Sequence, residues 1–476
     1  MPLNTNPVNP PRDLPVAVIG AGPVGLAAAA RLIERGLTPL VLEAGDAVGA
    51  NLLDYGHVRL FSPWRYNIDR AMTALLGPSG WTAPAPDVLP LASDIVERVL
   101  QPFARLPAVA PHLHLGVRVL SISRDGFDKV KTVDRDKAAF VIRVQHGGAV
   151  IEHQARAVID ASGTWSRPNP LGANGLPAIG EEEAADSIVY GIPDVLGAQR
   201  ARYAGQRTLV VGAGHSAANA LLSLAELARN ESGTHIVWGV RSNALQRVFG
   251  GGTADALPAR GQLGADLQAL RDRGGLEFVA GLRITAVRRI GKHLHVEGGG
   301  ANGEAVRLDG IDQIICATGQ RPDLSLTSEL RVKLDPWLES TEALGPLIDP
   351  NVHSCGTVRP HGHRELAHPE PGFYTVGVKS YGRAPTFLMA TGFEQVRSVV
   401  AAIAGDTVAA DRVELELPET GVCSAEGTPF ESASTSSACC GPTPAPETRA
   451  VSSGCGSPAA IALPARRAKV KVGCCG

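Results

Sequence analysis

Aromatic residues are scarce, at 4% of a 476-residue chain. A protein that stacks nucleic-acid bases on aromatic plates needs more of them, together with an excess of basic charge. That excess is missing too: 45 Lys and Arg stand against 47 Asp and Glu, a formal net charge of -2. A nucleic-acid-binding surface and an acidic solvating chain are both excluded on these grounds. No apolar run is long enough to span a bilayer. Residues 1–13 lack the basic start and apolar stretch of a secretory leader, so they read as a flexible N-terminal arm of a cytoplasmic protein. Cysteine is nearly absent from the body of the chain, because only Cys316 and Cys355 of the 8 precede residue 423. A disulfide-stapled fold would spread its cysteines through the core, and this chain does not.

Glycine and proline are abundant, at 54 and 35 residues, which points to a fold rich in tight turns. The strongest pattern begins at Val16. A short apolar run to Ile19 meets Gly20-Ala-Gly22-Pro-Val-Gly25 and then an Ala/Leu-rich helical stretch that stops at Gly36. A second apolar run follows and ends on the acid Glu43. This is a β-α-β unit with a dinucleotide-binding fingerprint. Gly20 permits the tight turn, Gly22 lets a pyrophosphate approach the backbone, and Gly25 lets the helix pack closely on the sheet. The phosphates then meet free N–H groups at the positive helix end. Glu43 is placed to accept hydrogen bonds from ribose hydroxyls.

The pattern recurs. Thr208-Leu-Val-Val leads into Gly212-Ala-Gly214-His-Ser216-Ala217, then a helical stretch over 218–230 and a strand over 234–241. Ala217 takes the place of the third glycine, which the fingerprint tolerates. This strand ends on Arg241. A guanidinium there pairs with a 2′-phosphate where a carboxylate would repel it, so NADPH is expected rather than NADH.

Further strands are expected at 116–122, 139–145, 156–160 and 372–377, and a long helix at 385–404. From about residue 418 the chain is Ser, Thr, Pro, Ala and Gly, the composition of a disordered tail. The fold class is α/β, with two Rossmann-like dinucleotide-binding domains. The expected organisation is an arm (1–13), a first FAD-binding part (14–175), an NAD(P)-binding domain (176–330), a returning FAD-binding segment (331–405) and a cysteine-containing low-complexity tail (406–476).

Two nucleotide turns, the first with a ribose acid and the second with an arginine, resemble the two-dinucleotide-binding flavoproteins. Asp160-Ala-Ser162-Gly163 and Ala317-Thr-Gly319 resemble that superfamily's two crossovers between domains. The resemblance implies FAD at the first turn and NADPH at the second, with Gly377 where the last FAD strand meets the flavin. It spans roughly residues 14 to 405. Neither a redox C-x-x-C nor a longer-spaced core pair is present, so the chain is most similar to the class B flavin monooxygenases. The loop Glu43 to Gly49 resembles their post-ribose loop, and Gly212 to Ser216 their NADPH turn. Between the two sites their Phe-x-Gly and His fingerprint is not matched by Pro170-Leu-Gly172-Ala-Asn-Gly175. Arg59, Trp64 and Tyr66 lie where the family's chain passes under the isoalloxazine, with Arg59 a candidate to stabilise anionic flavin. Lys379, Tyr381 and Arg383 either face the flavin or are loop charges.

Two segments raise metal chemistry. His353-Ser-Cys355 to His361-Gly-His363 matches no zinc spacing and reads as a structured loop over the site. In the tail, Cys439, Cys440, Cys474 and Cys475 form two vicinal pairs, the second preceded by Arg466, Arg467, Lys469 and Lys471. Nearby cations favour thiolate, the ligand of thiophilic metalloid ions such as As(III). The last pair resembles the one with which mercuric reductase hands over metal, and the whole chain resembles flavoproteins of arsenic-resistance clusters.

Three functions follow. The first is an NADPH-dependent flavin monooxygenase acting on a small molecule with a soft heteroatom or carbonyl. The second is a metalloid or thiol reductase using tail cysteines. The third is a non-catalytic metalloid sensor.

Overall fold

The computed structural model describes residues 13–242, 249, 257–352, 358–384 and 387–415. Strand β1 (Val16–Ile19) consists of four buried apolar residues. A strand buried on both faces needs helices above and below it, which is the setting of a parallel sheet. Helix α1 (Pro23–Glu34) follows with Pro23 in its first turn, and Gly36 turns the chain away at φ +69°. Strand β2 (Pro39–Leu42) then pairs parallel to β1, and β3 (Leu113–His114) extends the same edge. Next comes an antiparallel meander, β4 (Arg118–Arg124), β5 (Phe140–His146) and β6 (Ala149–Ala155). Strand β7 (Ala157–Asp160) closes this part by pairing with the other edge of β1.

A second unit of the same kind follows. It comprises β8 (Ile188–Tyr190), β9 (Arg207–Val211), α2 (His215–Asn230), β10 (His235–Gly239), α3 (Pro258–Asp272) and β11 (Glu277–Val279). The antiparallel strands β12 (Arg283–Ile290), β13 (His293–Gly299) and β14 (Ala305–Ile311) precede β15 (Gln313–Cys316). The chain then returns to the first sheet with β16 (Phe373–Thr375) and covers it with α4 (Met389–Ile403). The two parallel sheets run β16-β7-β1-β2-β3 and β11-β10-β9-β15-β8. In both, the strand before the glycine turn lies between the strand that follows it in sequence and one that returns from much later in the chain. The crevice at the carboxyl ends of such strands is where α/β sheets bind ligands.

Helices α1 and α4 share the main core, in which Leu32, Val396 and Val399 are fully buried. Truncating Leu32 to Ala would cost about 2–5 kcal/mol at such a site. The outgoing and returning connections between the sheets are paired with each other. Asn169 N–H donates to the Gly319 carbonyl (2.9 Å) and Arg321 N–H to the Arg167 carbonyl (2.9 Å). The Asn169 side chain also donates to Thr318 O and accepts from Arg321 Nε.

Several elements, β8 and β12 to β14 among them, were not anticipated from sequence, and three departures have a clear physical reason. β6 was not anticipated, because it is an outer strand whose residues are mostly exposed and whose apolar stretch is only Ala149 to Ile151. α3 was not anticipated either, since glycine and polar residues interrupt its apolar spacing. Residues 406–411, assigned to the tail, instead continue the fold. Asp406 caps a helix over Thr407–Asp411, and Arg397 donates to Ala409 O at 2.7 Å.

Candidate functional site

The first glycine turn is shaped by contacts that exclude side chains. Gly20 sits at φ +96°, and a Cβ there would lie 2.8 Å from Ala161 O. A Cβ on Gly25 would lie 2.0 Å from Gly20 O, so only glycine lets α1 approach the turn. Gly22 is the opposite case. It is the N-cap of α1 with ordinary extended geometry, and nothing lies within 4 Å of its would-be Cβ. The space above it is open, and no side chain caps the first N–H groups of the helix. Such an end favours an anion.

Glu43, at the end of β2, is held toward this turn. Its two oxygens accept from Ala21 N–H at 2.6 Å and Gly45 N–H at 2.8 Å. A carboxylate has about four acceptor positions, so capacity remains for ribose hydroxyls. Gly49 has φ +67°, and its N–H bonds Ala21 O at 3.0 Å, tying the loop to the turn. A Cβ on Gly49 would meet Val96 at 2.8 Å, so this glycine is needed for packing.

The second turn repeats the first. Gly212 lies at φ +140°, and a Cβ there would stand 2.2 Å from Ala317 O, the counterpart of Ala161. Gly214 caps α2 with nothing within 4 Å of its would-be Cβ and no side-chain cap. Ala217 is fully buried against this sheet. Ser216 faces a crevice shared with Trp165, Tyr190 and Cys316. Arg241 lies two residues beyond the end of β10, exposed, with Nη1 donating to Ala173 O at 3.0 Å.

The two crossovers also correspond. In the first, Ser162 Oγ donates to Asp160 Oδ1 at 2.7 Å; in the second, Cys316 Sγ and Thr318 Oγ1 lie 3.3 Å apart. Burial pushes the Cys316 thiol up to about 12, so it is not a thiolate near neutrality. The first crossover carries a charge instead. The Lys379 ammonium donates to Asp160 Oδ2 at 2.6 Å and to Ser162 Oγ at 3.0 Å, with both charged groups buried.

A second buried network holds the Gly377 turn, which lies at φ +70°. Gly377 N–H donates to Gln395 Oε1 at 2.7 Å, which fixes the orientation of that amide. The Gln395 NH2 group then donates to Ser380 Oγ and to His361 Nε2, both at 2.9 Å. His361 Nδ1 must therefore carry the proton, and it meets Arg359 O at 3.1 Å. Burial lowers the pKa of His361, which keeps the imidazole neutral.

The structure thus gathers Gly20, Gly22, Gly25, Glu43, Gly49 and Ser162 about the first turn, and Gly212, Gly214, Ser216 and Ala217 about the second. Gly163 (φ +72°) ends the first crossover, and Gly377 ends the returning strand β16. The exposed guanidinium of Arg59 donates to Leu89 O at 2.9 Å. Trp64 is a core residue, 1% exposed, rather than a plate beside a ligand. Tyr66 lines a hollow with Arg31 in the last turn of α1, at the far end of that helix from Gly22. Arg383 pairs with Glu339, and Tyr381 is buried near His361. His361 and His363 do not converge, since His363 bonds Asp411 at 2.8 Å. Among the described residues no group of three His, Cys, Asp or Glu is placed to hold a metal. His353, Cys355 and the tail cysteines Cys439, Cys440, Cys474 and Cys475 lie outside the described residues. Trp165, Asn169 and Gln395 were not singled out from sequence, and His361 was weighed there only as part of a metal-candidate loop, because only the tertiary contacts give these residues their places.

Residues 14–372, most of the chain, match the pyridine nucleotide-disulphide oxidoreductase family. The chain belongs to that family. It is a two-dinucleotide-binding flavoprotein, with FAD and a pyridine nucleotide as its cofactors. The open glycines Gly22 and Gly214, each at an uncapped helix start, are cradles that fit them. No curated protein matches the sequence. Solved structures share its fold. Bacillithiol disulfide reductase from Bacillus cereus has 19% identity and a TM-score of 0.59, over 82% of this chain and 99% of the other. The desferrioxamine-pathway cadaverine monooxygenase of Erwinia amylovora has 14% identity and a TM-score of 0.59, over 87% and 99%. The ornithine N-hydroxylase of Kutzneria sp. 744 has 17% identity and a TM-score of 0.54, over 83% and 98%. Among the described residues no helix is long and apolar enough to cross a membrane.

Proposed function

We propose that this flavoprotein is an NADPH-dependent oxidoreductase of the monooxygenase type. It transfers one oxygen atom to a small molecule bearing a soft heteroatom or a carbonyl, with organic sulfur, nitrogen and trivalent arsenic the acceptors that fit. The observation that carries this reading is the state of Cys316. It is the one cysteine among the described residues, it has no disulfide partner there, and burial holds it as a thiol. A dithiol relay needs two sulfurs within bonding reach and a thiolate to attack. Among the described residues no second cysteine lies within reach of Cys316, and the sequence before residue 423 has no C-x-x-C or other closely spaced pair.

In this reading Gly20, Gly22, Gly25, Glu43, Gly49, Ser162, Gly163 and Gly377 hold FAD. Gly212, Gly214, Ser216, Ala217 and Arg241 hold NADPH, with Arg241 selecting the 2′-phosphate. FAD supplies electron transfer from the nicotinamide and activation of dioxygen. The chain's own part is positional. Uncapped helix starts bind the phosphates, Glu43 orients the ribose, and the buried Lys379–Asp160 pair fixes the first crossover through Ser162. The overall balance is NADPH, a proton, dioxygen and acceptor giving NADP+, water and the oxygenated acceptor. A cytoplasmic location and a role in metalloid resistance belong to the same proposal and rest on the sequence and its resemblances.

A second reading is an NADPH-dependent metalloid or thiol reductase that uses Cys439, Cys440, Cys474 and Cys475. The family and the likeness in fold to bacillithiol disulfide reductase favour it. The two separate in an anaerobic experiment on the purified yellow protein bleached with NADPH. The monooxygenase reading predicts that disulfides and arsenicals leave it bleached and that air restores the colour. Recovery with a disulfide or arsenical in the absence of oxygen, abolished in Cys474→Ser/Cys475→Ser, would establish the reductase.

A further inference from the structure

The crevice beside the second glycine turn is built by both nucleotide-binding units. Ser216, in the first turn of α2, forms one wall with Cys316 and Gly319, and Trp165 from the outgoing crossover forms another. Trp165 is half-buried, and its indole is held on three sides. Its Nε1 donates to Asp54 Oδ2 at 2.8 Å. Its ring centroid lies 4.7 Å from that of Tyr55, at an interplanar angle of 45°. Its far edge reaches Gly191, where a Cβ would lie 3.0 Å from the indole. A large aromatic plate is thus fixed in place before any ligand arrives, which lowers the ordering cost of binding.

We infer that this crevice is the subsite for the nicotinamide ring and that Trp165 is its aromatic wall, favouring the oxidised ring over the reduced one. The inference rests on the reading that the second turn holds NADPH. The oxidised nicotinamide is a cation and the reduced ring is neutral. Among aromatic side chains, tryptophan has the strongest attraction for a cation over its face. Asp54 strengthens the preference, because its carboxylate, 2.8 Å from the indole nitrogen, adds negative charge beside the ring. The ring passes from neutral to cationic as it gives up hydride, so the wall retains NADP+ after the flavin has been reduced.

The test uses the FAD-loaded protein and its Trp165→Ala and Trp165→Phe variants, each checked for FAD content and circular dichroism. Tryptophan fluorescence is followed during titration with NADP+ and, separately, with 2′-phospho-ADP-ribose, which lacks the nicotinamide. NADP+ should quench the wild type, and Trp165→Phe should lose most of that quench. Trp165→Ala should weaken NADP+ about tenfold, the size of one desolvated cation–π contact. Its KM for NADPH should rise only two- to threefold, and 2′-phospho-ADP-ribose should bind as in the wild type. Equal weakening of NADP+ and 2′-phospho-ADP-ribose would show a structural role, and unchanged NADP+ binding would remove Trp165 from the subsite; either overturns the inference. Failure of the wild type to bind either ligand would instead overturn the assignment of NADPH to the second turn.

Discussion

The ammonium of Lys379 lies 2.6 Å from Asp160 Oδ2 at the carboxyl end of β7, with side-chain exposures of 1% and 0%. Taking both charges out of water is costly, and Ser162 offsets part of the cost by donating to Asp160 and accepting from Lys379. The chain backbone beside this pair abuts Gly20 directly, so the first cradle is framed by a buried ion pair.

Lys379→Met should therefore destabilise the protein by about 3–5 kcal/mol, because it leaves the Asp160 carboxylate buried without its countercharge. Lys379→Met/Asp160→Asn should recover much of that loss, since neither charge remains. Urea unfolding of the three proteins measures the difference. A single variant as stable as the wild type would show that the pair contributes nothing.

The glycines of the first turn should separate folding from binding. Gly25→Ala places a Cβ where Gly20 O already lies, at 2.0 Å, so it should lower the melting temperature and the yield of soluble protein. Gly22→Ala meets no protein atom and has an ordinary backbone conformation, so it should fold as the wild type does. It should nevertheless lose FAD, because its methyl occupies the approach of the pyrophosphate. Retained absorbance from bound FAD after desalting would contradict that placement.

Arg241→Ala should raise KM for NADPH by at least tenfold and leave KM for NADH unchanged, since hydrogen bonds to a charged group are worth about 1.5–3 kcal/mol. Equal effects on the two cofactors would mean that Arg241 does not meet the 2′-phosphate.

Acid should weaken the fold through His368. Its Nδ1 accepts from Lys333 N–H at 3.2 Å, its Nε2 is buried without a partner, and burial lowers its pKa to about 4. The unfolded chain takes up this proton near pH 6.5 and the folded chain only near pH 4. Stability is therefore unaffected by His368 above pH 6.5 and falls as pH drops between the two values. Unfolding at pH 7.5 and 4.5 should show a His368 contribution of roughly 2–3 kcal/mol. His368→Asn keeps an acceptor for Lys333 and should remove that part of the difference. An unchanged difference would place the acid sensitivity elsewhere.

Much of the site was legible because it rests on local rules. A buried apolar run, glycines at the turn and an uncapped helix start lie within a few residues of one another, so Gly20, Gly22, Gly25, Gly212 and Gly214 could be read directly. The Lys379–Asp160 pair could not. Its members are 219 apart in sequence and meet only when β16 returns beside β7. Gln395 and His361 were hidden for the same reason, and a histidine in a Pro-rich loop invited a metal reading instead. Trp64 and Tyr66 show the reverse case. The family resemblance put them beside the flavin with core packing as the alternative, and one is core while the other lies at the far end of α1. Trp165, in a turn-rich exit with no periodic pattern, and Tyr190 are the aromatic residues that line the crevice.

The most direct test of the monooxygenase reading is turnover with NADPH under oxygen-18, using a thioether and a trivalent organoarsenical as acceptors. The account predicts acceptor-stimulated NADPH oxidation, one oxygen-18 atom in each product molecule, and equal rates with the six cysteines from Cys423 onward replaced by serine. Product without the label, or turnover that continues without oxygen and stops when those cysteines are replaced, would contradict it.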